Sequence, residues 1–210
     1  MVAPNPKSLF ANTAVVPVLT IERVEDAVPL TRALLAGGLK VIEVTLRTKA
    51  ALDAVRAIAA EVPEAVIGIG TVTKISDIAL ALSAGAKFLA TPGTPQTLAA
   101  ALAMTPVPVT PACATVSEAM ALSDLGFSVL KFFPAGTSGG IDFLKAIAAP
   151  LPRLKFVPSG GIDASTAAAY LVLPNVVAVG GSWVVPKEAL AAHDFSKITA
   201  LARAAAALRR

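Results

Sequence analysis

The chain has 210 residues, 55% of them hydrophobic and 5% aromatic, with a formal charge of +4; this suits one large domain with ample room for a core. The basic residues are scattered apart from the Arg209-Arg210 end and form no stripe interleaved with aromatics, which argues against nucleic acid as a partner, while a small anion fits a mild basic excess. One cysteine, Cys113, and one histidine, His193, exclude an intramolecular disulfide and leave no Cys/His set spaced for a metal, so a reducing cytoplasm is expected.

At the N-terminus, Lys7 and the apolar stretch broken by Pro17 do not read as a secretory signal. The first β-type run, Ala14–Leu19, precedes a helical stretch over Glu25–Ala36. Val41–Thr45 then leads to Ala50–Ala60, and Val66–Gly70 to Ile75–Ala84. The alternation continues with Phe88–Thr91 before Pro95–Met104, Val107–Thr110 before Val116–Leu125, and Val129–Phe133 before Ile141–Ala149. Lys155–Val157 precedes Ala164–Leu171, and Val176–Val179 precedes helical material from Pro186 onward. Gly37-Gly38, Gly85 and Gly126 follow helical runs where C-terminal caps are expected. Phe88 to Ser117 and Ala164 to Pro186 carry no charge, but prolines, glycines and polar residues cut both, so neither predicts a transmembrane helix.

Eight βα units joined by short connections predict an α/β fold, a single compact (β/α)8 TIM barrel over residues 1–210, with function at the C-terminal ends of its strands. An open doubly wound sheet is the alternative, disfavoured because no G-x-G-x-x-G opens a first helix. On the second strand, period two puts Glu43, Thr45 and Arg47 on one face; either they serve a site, or Glu43 and Arg47 form an internal salt bridge. Thr71 after the third strand and Thr91-Pro92-Gly93 after the fourth offer hydroxyls and a proline to a substrate pocket, or cap ordinary loops.

Thr115 and Glu118 fit a capping box for the fifth major helix. Cys113, with no histidine partner, reads as a small packing residue, and Trp183 as structural. On the sixth strand Lys131 stands in an apolar run. Out of water an amine must find a carboxylate or lose its proton, and the neutral form is a nucleophile. Lys131 and Glu43 both face the barrel interior in this reading, and residue types alone leave the ionisation state of the lysine open. Ser159-Gly160-Gly161 after the seventh strand and Gly180-Gly181-Ser182 after the eighth match loops from which barrels build a phosphate cradle.

Taken together, Glu43-Val44-Thr45-Leu46-Arg47-Thr48, Gly70-Thr71-Val72, Lys131-Phe132-Phe133-Pro134, Ser159-Gly160-Gly161-Ile162 and Gly180-Gly181-Ser182-Trp183 resemble the 2-keto-3-deoxy-6-phosphogluconate (KDPG) aldolases in order and spacing. The likeness runs from Val16 to Pro186. It implies a class I aldolase of the Entner–Doudoroff pathway, a small (β/α)8 barrel, usually trimeric, needing no metal or cofactor. By this resemblance Lys131 forms the Schiff base with pyruvate or substrate and Glu43 moves protons, partly through water. Arg47 and Thr71 hold the pyruvate carboxylate, Phe133 packs on the ketoacid, and Gly160, Gly161 and Ser182 hold the phosphate of a 2-keto acid sugar phosphate.

The residue chemistry agrees: an iminium on Lys131 is an electron sink beside the breaking C–C bond, and Arg47 suits a carboxylate. Ser159 stands where many members have threonine, and Ala112 and Ala114 depart from the usual glycine and hydroxyl residue; these changes bear on pocket shape and substrate choice. The alternatives are aldolases for the galactonate epimer or for 4-hydroxy-2-oxoglutarate, a non-catalytic sugar-phosphate binder with Lys131 merely salt-bridged to Glu43, and an isomerase using Glu43 as base.

Overall fold

A computed structural model of the chain describes residues 3–208; Arg209-Arg210 lie outside the described residues. After a short helix α1 (Lys7–Phe10), strands and helices alternate as the hydrophobic pattern requires: β1 (Val15–Leu19), α2 (Val24–Ala36), β2 (Val41–Thr45), α3 (Ala51–Glu61), β3 (Val66–Gly70), α4 (Ile75–Ser83), β4 (Phe88–Ala90) and α5 (Gln96–Ala103). There follow β5 (Val109–Thr110), β6 (Ala112–Cys113), α6 (Val116–Asp124), β7 (Val129–Phe132), α7 (Gly140–Ala148), β8 (Lys155–Pro158), α8 (Ala167–Leu171), β9 (Val179–Gly181), α9 (Lys187–Ala191) and α10 (Phe195–Ala206). Gly38, Gly85 and Gly126 have positive φ, as the expected helix caps require.

All strand pairs are parallel. They form a six-stranded sheet ordered β5-β4-β3-β2-β1-β9 and a three-stranded sheet β6-β7-β8. The expected α/β fold with parallel strands is observed, its strands lying in two sheets. One interruption is Pro111, which lacks an N–H: the expected Val107–Thr110 strand is observed as β5 over Val109–Thr110, and β6 lies beyond Pro111, outside the expected bounds. The other lies between β8 and β9, where only isolated bridges, Phe156 to Val176 and Ser159 to Gly180, join the sheets.

The eighth strand starts three residues later than expected. Pairing with β1 (Val15 with Val179, Val16 with Gly180, Pro17 with Gly181) draws Gly180 and Gly181 into the strand instead of leaving them in a loop. Helix α8 begins at Ala167, not Ala164, because the Asp163 carboxylate accepts the backbone N–H groups of Ser165 and Thr166 and holds them in a turn. Helix α1, four residues behind Pro6, is too short to show a helical period.

Most of the core lies between helices and strands, in one large apolar cluster. A second cluster takes Val16, Val41, Phe88, Val129 and Val157 from five strands, with Phe10 and Ala178. Two residues beyond Val41 and Val129 on the same strands stand Glu43 and Lys131. Strand period therefore sets both polar groups above an apolar floor, toward the C-terminal strand ends.

The capping box at α6 forms as read: Thr115 Oγ1 accepts the Glu118 N–H at 3.3 Å, and the Glu118 carboxylate accepts from Ala114 and Thr115 at 2.8 and 2.9 Å. The Ala114 N–H is the main cause of a Glu118 carboxyl held below its ordinary range, against an opposing desolvation. Thr115→Ala should lower unfolding free energy by about 1 kcal/mol in urea titrations. With its folded value depressed, ionised Glu118 contributes stability above the unfolded carboxylate value that is lost as pH falls through the folded one. The destabilisation by Glu118→Gln should accordingly be present at neutral pH and fade in acid.

Candidate active site

Strand β7 carries Lys131 and strand β2 carries Glu43, and the fold turns the two side chains toward each other. Lys131 Nζ donates to Glu43 Oε1 at 2.7 Å and to Oε2 at 3.0 Å, with the residues only 6% and 5% exposed. In register, Lys131 lies between Ala112 and Val157, and Glu43 between Val18 and Gly68, so the strand neighbours offer no second charge. Such a pair is expensive to desolvate, and the close, two-pronged contact offsets part of that cost. The Phe133 ring centroid lies 5.7 Å from Nζ, within reach of a cation–π contact.

The sequence left open a salt bridge between Glu43 and Arg47. It does not form: the carboxylate is taken by Lys131, while Arg47 is exposed and has no ion-pair partner among the described residues. Thr45 shares their face of β2 but spends its hydroxyl on the Leu19 carbonyl, 2.8 Å away, a link to β1. Cys113 is buried, and desolvation, with the Glu118 charge second, pushes its thiol up to about 12, which suits a packing residue.

A cleft of about 950 Å³ reaches the pair through Phe133, and its wall also includes Arg47, Ser159, Gly160, Gly161, Gly181 and Ser182. Gly160 and Gly161 have φ of 90° and 77°, a conformation that favours glycine; Gly160 is half-buried, its carbonyl accepting the Gly136 N–H, and Gly161 is exposed. Ser159 is buried, its carbonyl accepting the Ala135 N–H and its N–H donating to Phe132, whereas Ser182 is exposed. A Cβ on Gly181 would run into the Trp183 ring, so the indole closes over bare backbone and itself joins the wall.

Five expected residues do not line this cleft: Lys131 and Glu43, which are buried, and Thr91, Pro92 and Thr71. Thr91 is buried, its hydroxyl accepting the Ala112 N–H and bonded to Thr94, both at 2.8 Å. Pro92 is half-buried after β4, and Thr71 is half-buried after β3 with φ 61°. Conversely, the cleft wall holds a network that sequence reading missed. Asp26 Oδ1 lies 3.2 Å from Arg23 Nη2 and 3.1 Å from His193 Nε2, and these two nitrogens are 3.1 Å apart. No spacing signal links Arg23 to His193, which lie 170 positions apart.

Three comparisons with known proteins bear on this geometry. Residues 7–201 match the family model for KDPG and KHG aldolase. The chain is 46% identical over 199 residues to the KHG/KDPG aldolase of Escherichia coli (strain K12), covering 95% of this chain and 93% of that protein. It is 47% identical over 193 residues to the 2-dehydro-3-deoxy-phosphogluconate aldolase of Dickeya dadantii, covering 92% and 91%. Among solved structures, KDPG aldolase from Legionella pneumophila, with pyruvate captured at low pH as a covalent carbinolamine, superposes with a TM-score of 0.93. That chain is 44% identical, with coverage of 96% of this chain and 98% of that one.

The buried pair carries its own stability expectation. Lys131→Met strands a carboxylate out of water and should cost about 3–5 kcal/mol in urea unfolding, whereas Lys131→Met with Glu43→Leu, which removes both charges, should recover most of the loss.

Proposed function

Because the chain belongs to the KDPG and KHG aldolase family, we propose that it is a class I aldolase. It reversibly cleaves 2-keto-3-deoxy-6-phosphogluconate to pyruvate and glyceraldehyde 3-phosphate. The observation that carries this reading is the amine and carboxylate held 2.7 Å apart out of water, beside an open cleft edged by glycine backbone. Glu43 takes a proton from Lys131, and the freed amine attacks the C2 carbonyl of the substrate to give a carbinolamine. Glu43 returns that proton to the carbinolamine hydroxyl, and loss of water leaves an iminium and an ionised Glu43. Glu43 then accepts the C4 hydroxyl proton, directly or through water, as the C3–C4 bond breaks, and the bonding electrons pass into an enamine on the pyruvate fragment. Protonation of the enamine carbon by Glu43 and hydrolysis of the iminium release pyruvate and restore the amine.

In this proposal Arg47 binds the substrate carboxylate with its planar fork, assisted by Thr71, and Phe133 packs on the ketoacid. The backbone of Gly160, Gly161 and Gly181 and the Ser182 hydroxyl receive the phosphate, with Ser159 beneath them. Thr91 acts from behind the pocket, by bracing Ala112, and Pro92 borders the end of β4. Supporting the division of labour, Arg47 is exposed, with no ion-pair partner among the described residues, while Lys131 is buried.

We further propose that the two sheets complete one closed (β/α)8 barrel in a single domain, β5 and β6 serving as one strand bent at Pro111. The protein is assigned to the cytoplasm and to the Entner–Doudoroff pathway. The apolar side chains left exposed on neighbouring helices, Ile75 and Leu80 on α4, Met104 after α5, and Val116 and Met120 on α6, support a homotrimer. Light scattering should return three times the 21.2 kDa chain mass, and Met120→Glu should lower it.

A second reading, cleavage of 4-hydroxy-2-oxoglutarate, is favoured by the match to a family model that covers both activities. Borohydride added with pyruvate should trap one reduced pyruvate on Lys131, detected by mass spectrometry, and none on Lys131→Met; an unmodified Lys131 in the native enzyme refutes the mechanism. Glu43→Gln should lower kcat by about 10²–10⁴-fold. Ser182→Ala should lower kcat/KM for the phosphorylated substrate by about 10-fold or more, the loss of one hydrogen bond to a charged group, and leave 4-hydroxy-2-oxoglutarate unaffected.

A further inference from the structure

Strand β3 presents a bare wall to the ion pair. Gly68 and Gly70 alternate with Ile67 and Ile69, so one face of β3 is apolar core and the other, beyond Val66, carries no side chain at these two positions. Gly68 pairs in register with Glu43, and Gly70 with Thr45. The space a side chain would take at Gly68 is filled by the ring of Phe88. At Gly70 it is filled by Glu43: a Cβ there would lie 2.6 Å from Glu43 Cδ and 2.7 Å from Cγ, and closer still to Oε1. That oxygen is the one to which Lys131 Nζ donates at 2.7 Å. Gly70 is not among the glycines of positive φ, so its strand backbone accepts any L-residue. Only space forbids a side chain there.

We infer that Gly70 is a positioning residue for the proton transfers, its missing side chain being the seat in which the Glu43 carboxylate lies against β3 and reaches Lys131. This rests on the reading of Glu43 as proton carrier. A methyl at position 70 cannot coexist with Oε1 where it stands; the carboxylate must rotate or rise off the wall, moving away from Nζ and from the C4 hydroxyl of the substrate. The carboxylate of aspartate, one methylene shorter, withdraws from that space. Gly70→Ala should therefore lose about 100-fold in kcat, the scale of a misplacement of roughly 1 Å. KM should stay within about threefold, because Arg47 and the glycine loops are untouched.

The decisive measurement is a double-mutant cycle of Gly70→Ala and Glu43→Asp, read as kcat and as the pH profile of pyruvate trapping by borohydride. The inference expects the double variant to exceed the product of the two single effects by at least about tenfold, and the Gly70→Ala profile to differ from that of the native enzyme. Multiplicative losses, or a native kcat and profile for Gly70→Ala, overturn it. If Gly70→Ala does not fold, recovery of folded protein by adding Glu43→Asp supports the inference and failure to recover overturns it. Glu43→Gln separates the two levels: full turnover in that variant rejects Glu43 as proton carrier, whereas a dead Glu43→Gln with multiplicative losses rejects only the role of Gly70.

Discussion

Two opposite charges held almost out of water, Lys131 on β7 and Glu43 on β2, are the constraint to which the rest of the molecule answers. Either charge alone would be untenable at this depth, so the contact must be short and two-pronged, and both strands must be held to a small tolerance. The apolar cluster of Val16, Val41, Phe88, Val129 and Val157 supplies the rigid floor beneath them. Close packing of that kind turns the placement of two side chains into a property of the whole sheet. Above the floor β3 contributes nothing but backbone, and the carboxylate occupies what the glycines leave.

The cleft beside the pair is built on the opposite principle. Arg47 is exposed, with no ion-pair partner among the described residues, and Gly160 and Gly161 hold conformations other residues rarely take. Such groups suit ligand charge that arrives from solvent. A dry amine for covalent chemistry next to a wet rim for anionic groups is a sensible arrangement for a phosphorylated keto acid, since the reacting carbon must leave water and the phosphate need not.

Much of this was legible in the chain order of residues. The runs at Val41–Thr45 and Val66–Gly70 are strands with the expected bounds, and the period-two reading that put Glu43 and Lys131 on interior faces holds. Such features are local: they depend on side-chain alternation over a few residues. Where the reading slipped, a partner decided the outcome. Val176–Val179 looked like the eighth strand on composition, but pairing with β1 moved the strand on to Gly180 and Gly181. The Thr91 hydroxyl accepts the Ala112 N–H, a partner 21 positions away that no local pattern announced.

The sequence by itself determined the alternation of strands and helices, the burial of Lys131 and Glu43, and the glycine-rich positions, because hydrophobic period and backbone freedom are written in neighbouring residues. Tertiary structure alone decided which carboxylate meets which cation. Glu43 had Arg47 four residues away and Lys131 88 away, and it took the distant one. The side chains of Glu43 and Lys131 converge between the two sheets, whereas Arg47 follows the end of β2 and turns to solvent. Distance along the chain does not report distance in the fold, and for the same reason no spacing announced His193 as a neighbour of Arg23 and Asp26.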